Sequence, residues 1–111
     1  MSNLDEPIRR FIRLLLFQAS QDKATELVIG VASEAGTPMR YNVEGTWHDI
    51  APFPSHIRPG VISELSRMAN LPKGQNPAEG VLDAGLGNTR LKWLIKITSP
   101  EEECILTLIQ D

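Results

Sequence analysis

Residues 39–44 read Met-Arg-Tyr-Asn-Val-Glu, with Met39, Tyr41 and Val43 alternating with Arg40, Asn42 and Glu44. A period of two is what a strand needs to bury one face and wet the other, and no helix can use it that way. Glu44-Gly45 then reads as a tight reversal into a second strand, Thr46 to Ile50. A β-hairpin in the first half of the chain therefore constrains everything around it. It supplies no chemistry of its own.

The rest of the chain sorts around that hairpin. Asp5-Glu6-Pro7 is a helix start, with acids at the positive end of the helix dipole and proline in the first turn, where its missing N–H costs nothing. From Pro7 to about Asp22, residues Ile8, Phe11, Ile12, Leu15 and Ala19 recur at helical spacing, and Leu14, Leu16 and Phe17 widen the stripe. Leu27 to Val31 is a short apolar run suited to a strand covered on both faces. Glu34 to Pro38 reads as loop, and Pro52 and Pro54 break the chain after the hairpin. Ile57 to Leu71 returns to helical spacing, with Ile57, Val61, Ile62, Leu65, Met68 and Ala69 on one side.

Pro72 to Glu79 reads as an irregular linker, and Gly80 to Gly85 as a short strand turning through Gly87-Asn88. Alternation then directs Leu91, Trp93, Ile95 and Ile97 inward and Lys92 and Lys96 outward. A turn over Thr98 to Glu102 leads to a last strand, Glu103 to Gln110. The predicted order is α-β-β-β-α-β-β-β, an α+β domain with an antiparallel sheet of five to six strands and two main helices.

At 111 residues the chain is one domain, residues 1–111. Area scaling puts the folded surface at roughly 6,100 Å² against about 17,800 Å² unfolded, enough burial for a core without staples. A net charge of −3 leaves no basic surplus for a nucleic-acid backbone, so nucleic acid is excluded as a partner class. The one cysteine, Cys104, rules out an internal disulfide and a multi-cysteine zinc site, and its apolar neighbours Ile105 and Leu106 predict a buried thiol. Acids stand at the N-terminus where a secretory signal would carry Lys or Arg. The apolar stretch Phe11 to Phe17 is interrupted by Arg13 and far short of a bilayer's ~20 residues. A cytoplasmic protein with no membrane insertion is expected.

Candidate chemistry is sparse. His48 and Asp49 are neighbours on a strand, so their side chains point to opposite faces and cannot pair. His56 precedes a helix, and two histidines without further ligands do not make a metal site. Gly80 to Gly87 lacks the Gly-Lys-Ser/Thr of a phosphate loop and runs into a strand. Glu101-Glu102-Glu103 reads as a solvated acidic turn. No catalytic residue, metal or cofactor is expected. Lys92 and Lys96, with Arg40 and Arg90, are the candidate contacts for a phosphate or an acidic partner. Phe11, Leu14 and Phe17 are the candidate interaction surface, because the first helix is wider in apolar residues than a small sheet needs, and self-association as a homodimer is expected there.

The order of elements and several short motifs resemble the N-terminal PAS-like domain that precedes the motor core in the ATPases of type II secretion and type IV pilus assembly. In that family the first helix leads into Ala-Ser-Asp-Ile/Leu-His-Ile/Leu, where this chain has Ala24-Thr25-Glu26-Leu27-Val28-Ile29. The family's Arg-x-Arg-Val-Asp-Gly is matched by Arg40-Tyr41-Asn42-Val43-Glu44-Gly45, and its Pro-x-Asp-Gly by Pro77-Ala78-Glu79-Gly80. The resemblance covers nearly the whole chain and implies a PAS-like fold standing alone, since the residues end where the motor would begin. It also implies arginines reaching nucleotide phosphates on a neighbouring motor. Here Asn42, Val81 and Thr107 stand at three such positions and only Arg40 remains, so most bidentate phosphate contacts are lost. The resemblance thus implies a non-catalytic interaction or regulatory module, with a secretion or pilus motor as partner. The alternative is a small-ligand- or nucleotide-sensing PAS-like domain, with an apolar pocket near Tyr41 and Trp93.

Overall fold

The computed structural model describes residues 5–71, 78–86, 89–97 and 103–109, apart from the side chains of residues 5, 84–86 and 89–90. Helix α1 runs Asp5–Gln21 and is followed by strands β1 (Ala24–Ile29), β2 (Thr37–Val43) and β3 (Thr46–Phe53). A 3₁₀ turn, Ser55–Ile57, opens helix α2 (Arg58–Met68), and strands β4 (Ala78–Leu86), β5 (Thr89–Ile97) and β6 (Cys104–Leu108) complete the chain. The order is the predicted α-β-β-β-α-β-β-β. All six strands form one antiparallel sheet in the order β3-β2-β1-β6-β5-β4. It is an α+β fold made of two three-stranded meanders joined through β1 and β6.

Both helices lie on the same face of this sheet. From α1, Ile8, Ile12, Leu16 and Ala19 are buried, and from α2, Val61, Leu65 and Ala69. They close over Leu27 and Ile29 of β1, Met39 of β2, Leu82 of β4, Trp93, Ile95 and Ile97 of β5, and Cys104 and Leu106 of β6. At roughly 1.5–3 kcal/mol per fully buried large aliphatic side chain, this layer outweighs any single polar contact. The buried line on α1 is Ile8–Ile12–Leu16, so Leu16 sits at its centre and Leu15 only half-buried at its flank. The sequence stripe had this pair the other way round. Phe11 closes the end of the core, its ring edge-on to Phe53 with centroids 5.4 Å apart.

The hairpin turn forms as its residues dictate. Glu44 and Gly45 both take positive φ, 53° and 85°, the two-residue reversal whose twist matches antiparallel strands. The Asn42 side-chain oxygen accepts from the Gly45 N–H at 2.9 Å, fixing the turn. In the middle of the chain, α2 stops in a Schellman closure. Asn70 adopts φ 58°, the Leu71 N–H donates to Ser66 and the Asn70 N–H to Arg67. This brings the helix end hard against β4. A Cβ on Gly80 would lie 2.6 Å from Leu71 Cδ2 and 3.2 Å from the Ala69 carbonyl oxygen, so a larger residue would make the Leu71 side chain shift.

Several boundaries differ from the sequence reading, among them the start of β2 at Thr37, inside the segment 34–38 expected as loop. β3 runs through Pro52 to Phe53, since an edge strand can spare the N–H that proline lacks; the break comes at Pro54. β1 begins at Ala24 and ends at Ile29, leaving Val31 exposed. Ala78 and Glu79 already belong to β4, where they pair with Ile97 and Lys96, so the expected linker is shorter. The turns expected at Gly87-Asn88 and over 98–102 lie outside the described residues.

Polar contacts between residues far apart in the chain also tie the layers together. Arg58, at the start of α2, is 6% exposed, and its Nε donates to the Gly30 carbonyl at 2.9 Å just beyond β1. Ser55 Oγ donates to the Ser33 carbonyl and meets the hydroxyl of buried Thr37, closing the β1–β2 connection onto the 3₁₀ turn. Tyr41 Oη donates to Asp22 at 2.8 Å, joining β2 to the end of α1. That hydrogen bond pushes the Tyr41 hydroxyl above its usual range. Glu64 of α2 is paired with Arg67, and Arg9 of α1 reaches it at 3.3 Å.

Two outcomes follow from these contacts. Arg58→Met removes a charged donor from a buried carbonyl, so urea denaturation should report a loss of about 2 kcal/mol. The Arg67 hydrogen bond, helped by Arg9, holds the Glu64 carboxyl below its ordinary value against a burial effect of opposite sign. A lowered carboxylate contributes stability above its unfolded pKa and loses it as pH falls through the folded value. Glu64→Gln should therefore cost about 1 kcal/mol near neutrality. Thermal melts of the variant and the parent should converge in acid.

Candidate interaction surfaces

Antiparallel sheets can leave one face in water, and here the face away from the helices is open among the described residues. Register fixes what stands on it. Asp49, Arg40, Val28, Ile105, Lys96 and Glu79 follow one another across the six strands, each paired with the next. The next row reads Trp47, Asn42, Glu26, Thr107, Leu94 and Val81. Beyond it Lys92 faces Asp83. Ile109, just past β6, donates its N–H to the Lys92 carbonyl.

The middle of this face is apolar. Val28 is buried to 4% although no helix covers it, Ile105 and Leu94 are half-buried, and Val81 and Ile109 are 48% and 40% exposed. Val28 pairs with Ile105 and Leu94 with Val81, so these side chains form a continuous strip running toward the β4 edge.

Three of the four basic residues nominated from sequence share this face, but they do not make a patch of one sign. Arg40 stands opposite Asp49, Lys96 opposite Glu79, and Lys92 opposite Asp83. Arg40 also pairs with Glu103 at 3.6 Å and lies over the Trp47 ring, 5.0 Å from its centroid. With strands ~4.8 Å apart, Arg40 and Lys96 are three strands, or about 14 Å, from one another. No single phosphate could bridge that separation. Arg90 pairs with Gly85 through the backbone, and its side chain lies outside the described ones. Including Glu26 and Glu103, the described side chains on this face carry five carboxylates against three cations.

Where the face dips, Val28, Gly30, Pro38, Met39, Arg40, Asp49 and Glu103 line a cavity of about 210 Å³. That is below the ~300 Å³ at which small-molecule sites usually begin. Neither Tyr41 nor Trp93 lines it. Tyr41 is tied to Asp22, and Trp93 is wholly buried in the core, its Nε1 without a hydrogen-bond partner among the described residues.

The second surface is the outer arc of α1. Arg10, Arg13, Leu14 and Phe17 stand at i, i+3, i+4 and i+7 and so share one side of the helix. Leu14 is 55% exposed and Phe17 half-buried, while Phe11 is turned toward Phe53 and the core. Of the three aromatic and aliphatic residues nominated from sequence, Leu14 is the most accessible. Arg10 and Arg13 form no ion pair among the described residues, unlike Arg9.

The remaining candidates fall where register puts them. His48 faces Tyr41 and is exposed, while Asp49 faces Arg40, so the neighbours point apart as the strand requires. His56 is exposed on the 3₁₀ turn. Among the described residues no group of three or more potential ligands could hold a metal, and no helix is long and apolar enough to cross a membrane. No family model matches the chain, and none of the curated proteins is similar to it.

Cys104 is 1% exposed, and burial pushes its thiol up to about 12, against a smaller opposing effect of Arg58. A thiol so placed is protonated at neutral pH and shielded from reagent. Ellman's reagent should label the folded protein more slowly by about a hundredfold than the urea-unfolded chain, with labelling limited by opening of the β5–β6 pair.

Proposed function

We propose that this chain is a non-catalytic docking module that uses its open sheet face to bind a partner protein, and that the partner is a motor ATPase of the secretion or pilus type. The observation carrying this reading is the position of Arg40, Asn42, Thr107 and Val81. Their likeness to arginine positions of the PAS-like family was drawn from sequence alone, on three separate segments, yet all four fall on the open face. Asn42, Thr107 and Val81 even share one cross-strand row. That these positions share one side of the sheet supports the resemblance.

The chemistry at those positions supports docking over phosphate binding. Asn, Thr and Val cannot make the bidentate contacts of guanidinium groups. The remaining Arg40 is held between carboxylates, which would repel an anion. What the face offers instead is an apolar strip with charged borders, the composition of a protein–protein contact.

The test is titration calorimetry with two ligands. Magnesium-ATP should give no saturable heat. The purified motor core of a secretion- or pilus-type ATPase from the same cell should bind, and Val81→Asp, a change at a half-exposed position, should weaken that binding by about tenfold or more. Saturable ATP binding, or a motor core that gives no signal, would defeat the proposal.

A further inference from the structure

The two surfaces lie on opposite sides of the molecule, one on the helix layer and one on the bare side of the sheet. Among the described residues, Leu14, Val31, Trp47, Val81 and Ile109 are the large apolar side chains left most exposed. Leu14 belongs to the arc of α1, and Trp47, Val81 and Ile109 lie on or beside the open sheet face. Their electrostatics are opposite. The arc carries Arg10 and Arg13 against the single carboxylate of Glu6. The sheet face carries Glu26, Asp49, Glu79, Asp83 and Glu103 against Arg40, Lys92 and Lys96. A helix ridge stands on one side, and on the other lies a cavity of about 210 Å³ whose charged lining is Asp49, Glu103 and the Arg40 that pairs with Glu103.

We propose that copies of this chain associate head to tail, the outer arc of α1 in one copy docking on the open sheet face of the next. Leu14 and Phe17 cover the strip of Val28, Leu94, Ile105 and Val81, while Arg10 or Arg13 reaches Asp49 and Glu103 at the rim of the cavity, where two carboxylates stand against the one charge of Arg40. The occupant is a second copy because each surface is matched in charge and apolarity by the other one on the same chain.

Two symmetric pairings, one for each surface, bring like charges together. Two α1 arcs crossing at Leu14 bring four arginines together. Two sheet faces related by a two-fold axis along the strands set Arg40 over the other copy's Lys96, and Asp49 over its Glu79, since β2 and β5 occupy mirrored places in the strand order. Like charges face each other in each case, which costs rather than stabilises. The heterologous contact avoids this and, unlike a two-fold dimer, leaves one free surface at each end, so it closes into a ring or extends.

This inference shares the sheet face with the docking reading, but its test uses the chain alone. Sedimentation velocity at low salt, up to the highest soluble concentration, should show mass rising past that of a dimer and falling back as salt is added. Arg10→Glu/Arg13→Glu and Asp49→Lys/Glu103→Lys, each checked for an unchanged circular dichroism spectrum, should raise the association constant's midpoint concentration by about tenfold or more. An equimolar mixture of the two variants should assemble again, because each restores the sign that the other lacks. A species that stops at a dimer would overturn the proposal in favour of a symmetric pair. A monomer at every concentration would also overturn it, as would variants that fail to rescue one another; a monomer that still binds the motor core would leave the docking reading standing. Association of the monomer with anionic lipid vesicles through α1 would assign the arc to a membrane surface and overturn it too.

Discussion

The structure depends on the pairing of β1 with β6. Each meander is local, three strands linked in sequence, and neither alone has the width to carry two helices. The β1–β6 ladder joins residues almost eighty positions apart, setting Leu27 against Leu106 and Ile29 against Cys104 on the helix side and Val28 against Ile105 on the other. Closing so long a loop is entropically unfavourable, and the return comes from burying both strands at the centre of the sheet. That explains why the two central strands carry apolar side chains on both faces, with Val28 and Ile105 on the bare side, while the edge strand β3 is exposed along most of its length. It also explains the 4% exposure of Val28 on the bare side. Neighbouring strands and Ile105 cover it, with no helix needed.

Placing both helices on one side has a second consequence. The helix layer and the open sheet face become chemically distinct surfaces of one small molecule. On the sheet, cations sit on inner strands and acids stand opposite them on the edges, so the basic residues that look like a patch in sequence are neutralised by register. Lys92 and Lys96 are outward-facing as their alternation requires, yet the acids opposite them, Asp83 and Glu79, come from the neighbouring strand β4. A cluster of like charges in the sequence of one strand says nothing about the sign of the surface until its neighbour is known.

The same reasoning explains what could be read from the sequence. The hairpin around Glu44-Gly45, both helices and the inward set of β5 were legible because they rest on local periodicity or on a turn residue with positive φ. Leu15 and Leu16 were exchanged because the stripe on α1 is wide enough to fit two phases. Pro52 was read as a break because nothing local says that β3 is an edge strand, where proline is tolerated. Arg58 gave no signal at all; a buried arginine becomes intelligible only when the Gly30 carbonyl, twenty-eight residues earlier, is found beside it. The open face belongs to the same class. Its residues come from all six strands, and only their register shows that they share a surface.

One surface cannot hold two occupants at once, and this links the two readings of the sheet face. A motor that binds Val81 and its neighbours excludes the α1 arc of another copy, so docking and self-association compete for the same free energy. Linkage requires the effect to be mutual: whatever factor a motor takes from self-association, self-association takes from motor binding. A chain with a weak head-to-tail contact would then hold its docking face covered when concentrated and release it to a stronger partner. The arrangement needs no conformational change and no catalytic residue. It needs only that one helix ridge and one bare sheet face carry opposite charge on a body too small to hide either.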